Sequence, residues 1–271
     1  MLQVPQRTTL SGPALVRLLA RVADVEIPES RQSLSDRLSQ WLGWTDAIAL
    51  SSALNGSPPA VAGGARVAGS AAEGECVRLR SSLTKAVVGD RVFATARSDG
   101  RAPMQKPKQT HVPMQGTAEA PVDYAVFRQR YQAIQQSMET SIATLRSRLR
   151  GMLAAKTPAL ARLAALDAVM ERALGERERT LLGGVPGMLA PHFEKLREAE
   201  QQALAARNAE SADRTGCDAA AQTPQASANV APLTPGAWLD VFRKDMQSVL
   251  LAELEVRFQP VEGLLVALRT R

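Results

Sequence analysis

Residues 124–155 read YAVFRQRYQAIQQSMETSIATLRSRLRGMLAA, and their spacing decides the fold class. Tyr124, Tyr131, Met138, Leu145 and Met152 recur every seven residues. Phe127 and Ile134 accompany them. Ser141 and Arg148 then stand where the companion series should continue, and the apolar stripe resumes one place later at Ile142 and Leu149. A helix of 3.6 residues per turn slides in this way against a 3.5-residue repeat. The segment reads as one arm of a helical bundle, coiled-coil-like only in its N-terminal half. Asp123 is placed to cap it, and a helix over 122–155 spans about 45 Å.

Toward the C-terminus the same periodicity returns twice. Thr157 followed by Pro158 is a cap with proline in the first turn, and Leu160, Leu163, Leu166, Met170 and Leu174 give the next stripe, predicting a helix over 158–182. Gly183-Gly184-Val185-Pro186-Gly187 reads as a turn, and a helix over 188–208 follows through Leu189, Phe193, Leu196 and Leu204. Residues 209–233 form a low-complexity connector of Ala, Gln, Ser and Thr. Thr234-Pro235 then opens a last helix over 235–269, with Leu239, Phe242, Met246, Leu250, Leu254 and Phe258 at three- and four-residue steps. Its stripe resumes at Val261, Leu265 and Leu268, and Pro260 is expected to kink or divide it. The arms 122–155, 158–208 and 235–269 each carry one apolar stripe and should pack as an antiparallel bundle.

Toward the N-terminus, residues 97–121 hold four prolines and read as linker, with His111 inside it. Leu79, Leu83 and Val87 predict a helix near 75–95. Residues 55–74, NGSPPAVAGGARVAGSAAEG, read as a flexible linker. Residues 1–54 read as a helical hairpin. Ser11 caps a helix to residue 23, Ser30 or Ser33 caps a second over 31–53, and Gly43 bends or breaks it between Trp41 and Trp44. The expected organisation is all-α: an N-terminal hairpin over 1–54, a linker over 55–121 with a short helix at about 75–95, and a bundle over 122–271.

Composition agrees. The chain has 271 residues, 45% of them apolar and 22% charged, with aromatics at 4%. That suits packed helices and not a β-sandwich or barrel. No window holds eighteen consecutive apolar residues, so no spanning helix is expected. MLQVPQRTTL lacks the charged-then-apolar pattern of a secretion signal, and Cys76 and Cys217, 141 positions apart, read as reduced thiols. Both features fit the cytoplasm. The net charge is +6, of which +4 falls within residues 55–122.

The inventory of reactive groups is poor. There is no GxSxG, no GK[ST] phosphate loop and no Glu-x-x-His pair for a di-metal bundle. The two histidines, His111 and His192, and two scattered thiols do not make a metal site. Glu176 with Glu178, and Glu253 with Glu255, point to different helix faces. We therefore expect no enzyme, no cofactor and no metal. Two constellations remain. Trp41, Trp44, Tyr124, Phe127, Tyr131, Trp238 and Phe242 are candidate protein-interface anchors, with ordinary core as the competing role. Arg146, Arg148 and Arg150 form a candidate basic patch for nucleic acid, to which Lys85, Arg91, Arg97, Arg101, Lys106 and Lys108 would add; solvated helix faces are the competing role.

Residues 7–54, RTTLSGPALVRLLARVADVEIPESRQSLSDRLSQWLGWTDAIALSSAL, resemble the N-terminal signature of a proteobacterial family catalogued as domain of unknown function 3348. The resemblance continues through the helix from Tyr124 and the Trp238–Phe258 stretch. It carries no functional residues with it. Genes of such families lie beside those for a MotA/TolQ/ExbB-like proton channel and an OmpA-like protein. The resemblance thus implies a cytoplasmic accessory of an envelope-associated complex. The expectation is a scaffold or adaptor whose helices bind other proteins, with self-association among its outcomes, and a nucleic-acid-binding accessory as the rival.

Overall fold

The computed structural model describes residues 13–26, 32–56, 68–94, 122–215 and 236–269. Among them lie eight helices and no strand: α1 Ala14–Ala23, α2 Leu34–Trp41, α3 Trp44–Asn55, α4 Ala68–Val88, α5 Tyr124–Ala154, α6 Pro158–Gly183, α7 Val185–Thr215 and α8 Ala237–Arg269. The all-α expectation holds. Ser11, Ser30, Cys217, His111 and the caps read at Thr234-Pro235 lie outside the described residues, as do Arg97, Arg101, Lys106 and Lys108.

Several helix ends are set by the side chains the sequence points to. Asp123 accepts a hydrogen bond from the Ala125 amide, and Thr157 accepts one from Leu160 with Pro158 in the first turn. Ser33 and Asp36 cap each other's backbone amides at the start of α2. Each such cap satisfies amides that the helix itself leaves unpaired. The break falls at Leu42, which caps the end of α2, and Gly43, which caps the start of α3.

Three arms run up, down and up. Arg179 meets Glu139 at one end of the α5–α6 seam and Arg146 meets Asp167 toward the other, so these helices are antiparallel. The Phe193 ring lies 4.9 Å from that of Trp238, and Glu200 accepts from the Gly236 amide at 2.8 Å, so α7 and α8 are antiparallel too. The first and third arms are then parallel. Phe127 sits 5.3 Å from Phe242 near their N-terminal ends, and Lys156 donates to the Leu268 carbonyl at their C-terminal ends. The stripe of α5 is buried as Phe127, Tyr131, Ile134, Met138, Ile142, Leu145, Leu149 and Leu153, with Met152 left at the edge. The four-residue steps from Leu145 onward are the predicted slide of the seam.

Other boundaries differ from expectation. The helix read at 75–95 begins at Ala68 and ends at Val88. It is a wall of the bundle, lying on α5 and α8 with Ala72, Leu83, Val87 and the following Phe93 buried. The Ala-Gly-Ser composition of 68–74 suggested a linker, yet Ala72 is fully buried and alanine is the best helix former. The turn read over 183–187 shrinks to Gly184, and α7 continues to Thr215 into the supposed connector. Pro260 does not divide α8. A proline there costs about 3 kcal/mol, but Phe258, Val261, Leu264 and Leu265 are buried around it, and each such side chain returns about 1.5–3 kcal/mol. The two arms of the N-terminal hairpin dock on different partners: α1 on α7 and α8, α3 on α6.

The centre of the bundle is polar. Glu253 on α8 is fully buried. Its carboxylate accepts from the Tyr131 hydroxyl at 2.9 Å, from the Gln135 amide at 3.0 Å and from Arg257 Nε at 2.9 Å. The Gln135 amide also donates to the Leu182 carbonyl at 2.9 Å, and Arg257 reaches Glu178 at 3.5 Å. One carboxylate thereby ties α5, α6 and α8 together. Removing either charge strands the other in the core, which costs about 3–5 kcal/mol, whereas replacing both by apolar residues costs far less. Glu253→Ala should lower the unfolding free energy by about that amount in urea titrations followed by circular dichroism, and a Glu253→Leu/Arg257→Met double variant by much less. A single variant no less stable than the double one would contradict this account of the core.

Candidate functional site

The candidate anchors separate by burial. Tyr124, Phe127, Phe193, Trp238 and Phe242 form one aromatic cluster where the starts of α5, α7 and α8 meet. Phe193 stands edge-on to Phe242 at 5.0 Å and to Trp238 at 4.9 Å, the geometry in which positive ring edges meet negative ring faces. Phe127, Tyr131 and Phe242 are buried, and the Tyr124 hydroxyl donates to the Pro186 carbonyl. Phe127, Tyr131 and Phe242 thus lie in the core, and Tyr124 and Trp238 pack against it partly buried. All five phenylalanines of the chain are buried.

The two remaining tryptophans differ. Trp41 is half-buried, with the Arg177 guanidinium carbon 4.8 Å from its ring centre, a cation over a π face that fastens the α2 end to α6. Trp44 is 81% exposed. Ile48, one turn on, and Leu34, on the preceding helix, are exposed as well. On α2 only Leu38 and Trp41 are half-covered. On α3 the half-covered residues are Asp46, Ala49, Leu50 and Ala53, which share the side lying on α6. Neither α2 nor α3 contains a buried residue.

The arginine run is not an open patch. Arg146 makes two bonds to Asp167, at 2.9 and 2.6 Å, and reaches Glu171 at 3.6 Å. Arg150 binds Asp167 at 3.1 Å and also Glu171. Arg148 pairs with Glu75 of α4. Alternate positions on α5 thus serve two seams. Replacing all three by alanine removes inter-helix ion pairs as well as charge. Of the acidic pairs noted in the sequence, Glu253 is sealed in the core and Glu178 faces Arg257. His192 Nε2 lies 2.8 Å from Asp245 Oδ2, a tie between α7 and α8. No group of three or more metal-ligating side chains occurs among the described residues. Nor is any helix among them long and apolar enough to cross a membrane. Burial pushes the Cys76 thiol above its usual range, away from thiolate reactivity.

The family model for proteins of unknown function (DUF3348) matches residues 1–270. The chain belongs to that family. No curated protein and no solved structure matches it. What distinguishes one surface of this DUF3348 chain from another is therefore its own geometry. The polar network around Glu253 and the ion-paired Arg146 and Arg150 were missed in the sequence. The signal was present for the first: Gln135, Glu253 and Arg257 interrupt apolar stripes at core spacing. For the arginines the partners Asp167 and Glu171 lie on another helix, about twenty residues on, and no local pattern joins them.

Two measurements follow. Phe242→Ala should lose about 3–5 kcal/mol of stability, while Trp44→Ala should stay within about 0.5 kcal/mol of the parent in the same urea titration. Equal losses would mean Trp44 is packed. Burial also pushes the Tyr124 phenol up to about 12. Tyr131 is raised further by burial and by the adjacent negative Glu253. A phenol that holds its proton more tightly when folded contributes stability in full below the unfolded value of about 10, and that contribution drains as pH climbs through the folded value. The melting temperature should therefore fall from pH 10 toward 12. Phenolate absorbance from the two tyrosines should appear together with loss of helix. Ionisation near pH 10 with the helices intact would refute the burial of both phenols.

Proposed function

We propose that the chain is a non-enzymatic helical adaptor that binds another protein through the α2–α3 segment, with Trp44 as the central anchor. The exposure of Trp44 carries this reading. Tryptophan is among the residues that most often dominate binding energy at the centre of an interface. Here it stands with Ile48 on the side of α3 turned away from α6. The lengths of α2 and α3 support the same reading. Helices of 8 and 12 residues are marginal alone in water, and these two bury no residue of their own. A partner surface covering Trp44 and Ile48 would supply the apolar burial they lack.

The nucleic-acid alternative rested on Arg146, Arg148 and Arg150, and each of those guanidiniums already faces a carboxylate. The family resemblance supports the finer part of the proposal, a cytoplasmic accessory of an envelope-associated complex. A second copy of the chain is one possible occupant of the Trp44 face.

The test compares the parent with Trp44→Ser/Ile48→Ser, tagged and purified from the native cell, with light scattering on both pure proteins. The parent should either retain a defined co-purifying protein in constant ratio or self-associate with rising concentration. The variant should lose that behaviour by about thirtyfold or more while keeping its circular dichroism spectrum, since losing an anchor of this kind costs at least about 2 kcal/mol of binding. Indistinguishable behaviour of the two proteins would overturn the proposal. A salt-sensitive gel shift of duplex DNA by both would point instead to the rival class.

A further inference from the structure

The two halves of α4 are held by different physics. Its C-terminal half is anchored by Leu83 and Val87, with Phe93 inserted fully after the helix ends. Asp90, itself buried, accepts from Arg130 at 2.5 Å and from the Val92 amide at 3.0 Å. The Gln247 amide of α8 donates to the Val88 and Phe93 carbonyls at 3.3 and 3.2 Å. Among the described side chains of the N-terminal half, the buried ones are Ala72 and Cys76, both small. Leu79 packs half-covered against the core, and the Arg80 guanidinium carbon lies 5.2 Å from the Phe258 ring centre. The remaining attachment is ionic and partly exposed: Glu73 with Arg269, Glu75 with Arg148, and Arg80 with Glu255 and Glu262. Such pairs are individually weak and screened by salt.

Two further observations fall on the same half. A groove of about 410 Å³ runs between it and α8, floored by Cys76, Phe258 and Leu265 and flanked by Val77 and Val266, so this seam is unfilled. Gly74 sits inside the helix, where glycine is the least favourable residue after proline. An added Cβ there would meet only the flexible Arg78 guanidinium, at 3.3 Å, so close packing does not require glycine.

We propose that the N-terminal half of α4 is a salt-sensitive flap. It is hinged at the Leu83–Phe93 anchor and latched by Glu73, Glu75 and Arg80, and it opens over the groove on α8 while the remaining helices stay folded. Opening exposes the apolar floor of Phe258 and Leu265 on α8. It also frees the Cys76 thiol, which is 6% exposed when the flap is closed. The flap does not depend on any partner at Trp44, and its test contains no partner.

Cys76 is the reporter. In the full chain carrying Cys217→Ser, the rate of modification by the neutral reagent N-ethylmaleimide is measured from 0.05 to 1 M sodium chloride. The effect of salt on N-acetylcysteine is divided out. Over this range the screening length contracts from above about 10 Å to about 3 Å, and the rate should rise about tenfold. Arg80→Ala should speed the reaction severalfold at low salt and reduce the salt dependence, the Glu73–Arg269 and Glu75–Arg148 pairs retaining the remainder. Gly74→Ala should slow it severalfold by stiffening the helix. Far-ultraviolet circular dichroism in the same buffers gives the rate of global unfolding. A rate indifferent to salt and to Arg80→Ala would overturn the flap. So would a thiol that reacts only as fast as the whole protein unfolds.

Discussion

The arrangement of the long helices depends on a buried negative charge. Glu253 is sealed from bulk solvent, and Tyr131, Gln135 and Arg257 all donate to it. Those donors come from α5 and from α8 itself, and Gln135 extends the tie to the Leu182 carbonyl of α6. A shift of α8 along α5 by a heptad would part Phe242 from Phe127. A shift of that size also carries the carboxylate away from its donors into hydrocarbon. The polar centre therefore fixes the parallel alignment of α5 and α8 together with the aromatic cluster, and the α5–α6 ion pairs close around that alignment. This is the use of a buried polar group for register rather than for stability.

Much of the fold was legible in the chain. The stripes of α5 and α8, the caps at Ser33, Asp123 and Thr157 and the break at Gly43 are local signals, each set within a few residues. The stripe read on α6 was not the buried one: Ala161, Ala164 and Leu182 are covered there while Leu163 is exposed. What failed depended on distant contacts. Pro260 looked like a breaker because sequence shows the lost backbone donor and not the burial around Phe258 and Val261. The start of α4 looked like linker because its small residues say nothing of the bundle that Ala72 touches. The candidate surface was half legible. Seven aromatic anchors were named from stripes, and a stripe marks a face that needs cover without saying what covers it. Only the packed structure separates Trp44, facing solvent, from Phe242, facing four other rings.

The charge of the protein shows the same limit. A net +6 with an arginine run invites a polyanion. In the fold, alternate residues of that run point to α6 and to α4, and each finds a carboxylate. Formal charge counts groups, whereas a binding surface requires groups whose field is not already cancelled nearby.

The two ionic clusters also differ in how they tolerate change over evolutionary time. Asp167 and Glu171 each face both Arg146 and Arg150, so any one of the four can be lost and every remaining charge keeps a neighbour of opposite sign. The α5–α6 seam can therefore drift by single steps through folded intermediates. Glu253 has only Arg257 as its charged partner within the buried network, and a lone change at either position is a large fraction of what a domain can lose and remain folded. Descendants of this sequence have many routes to a different seam, and almost none, one residue at a time, to a different centre.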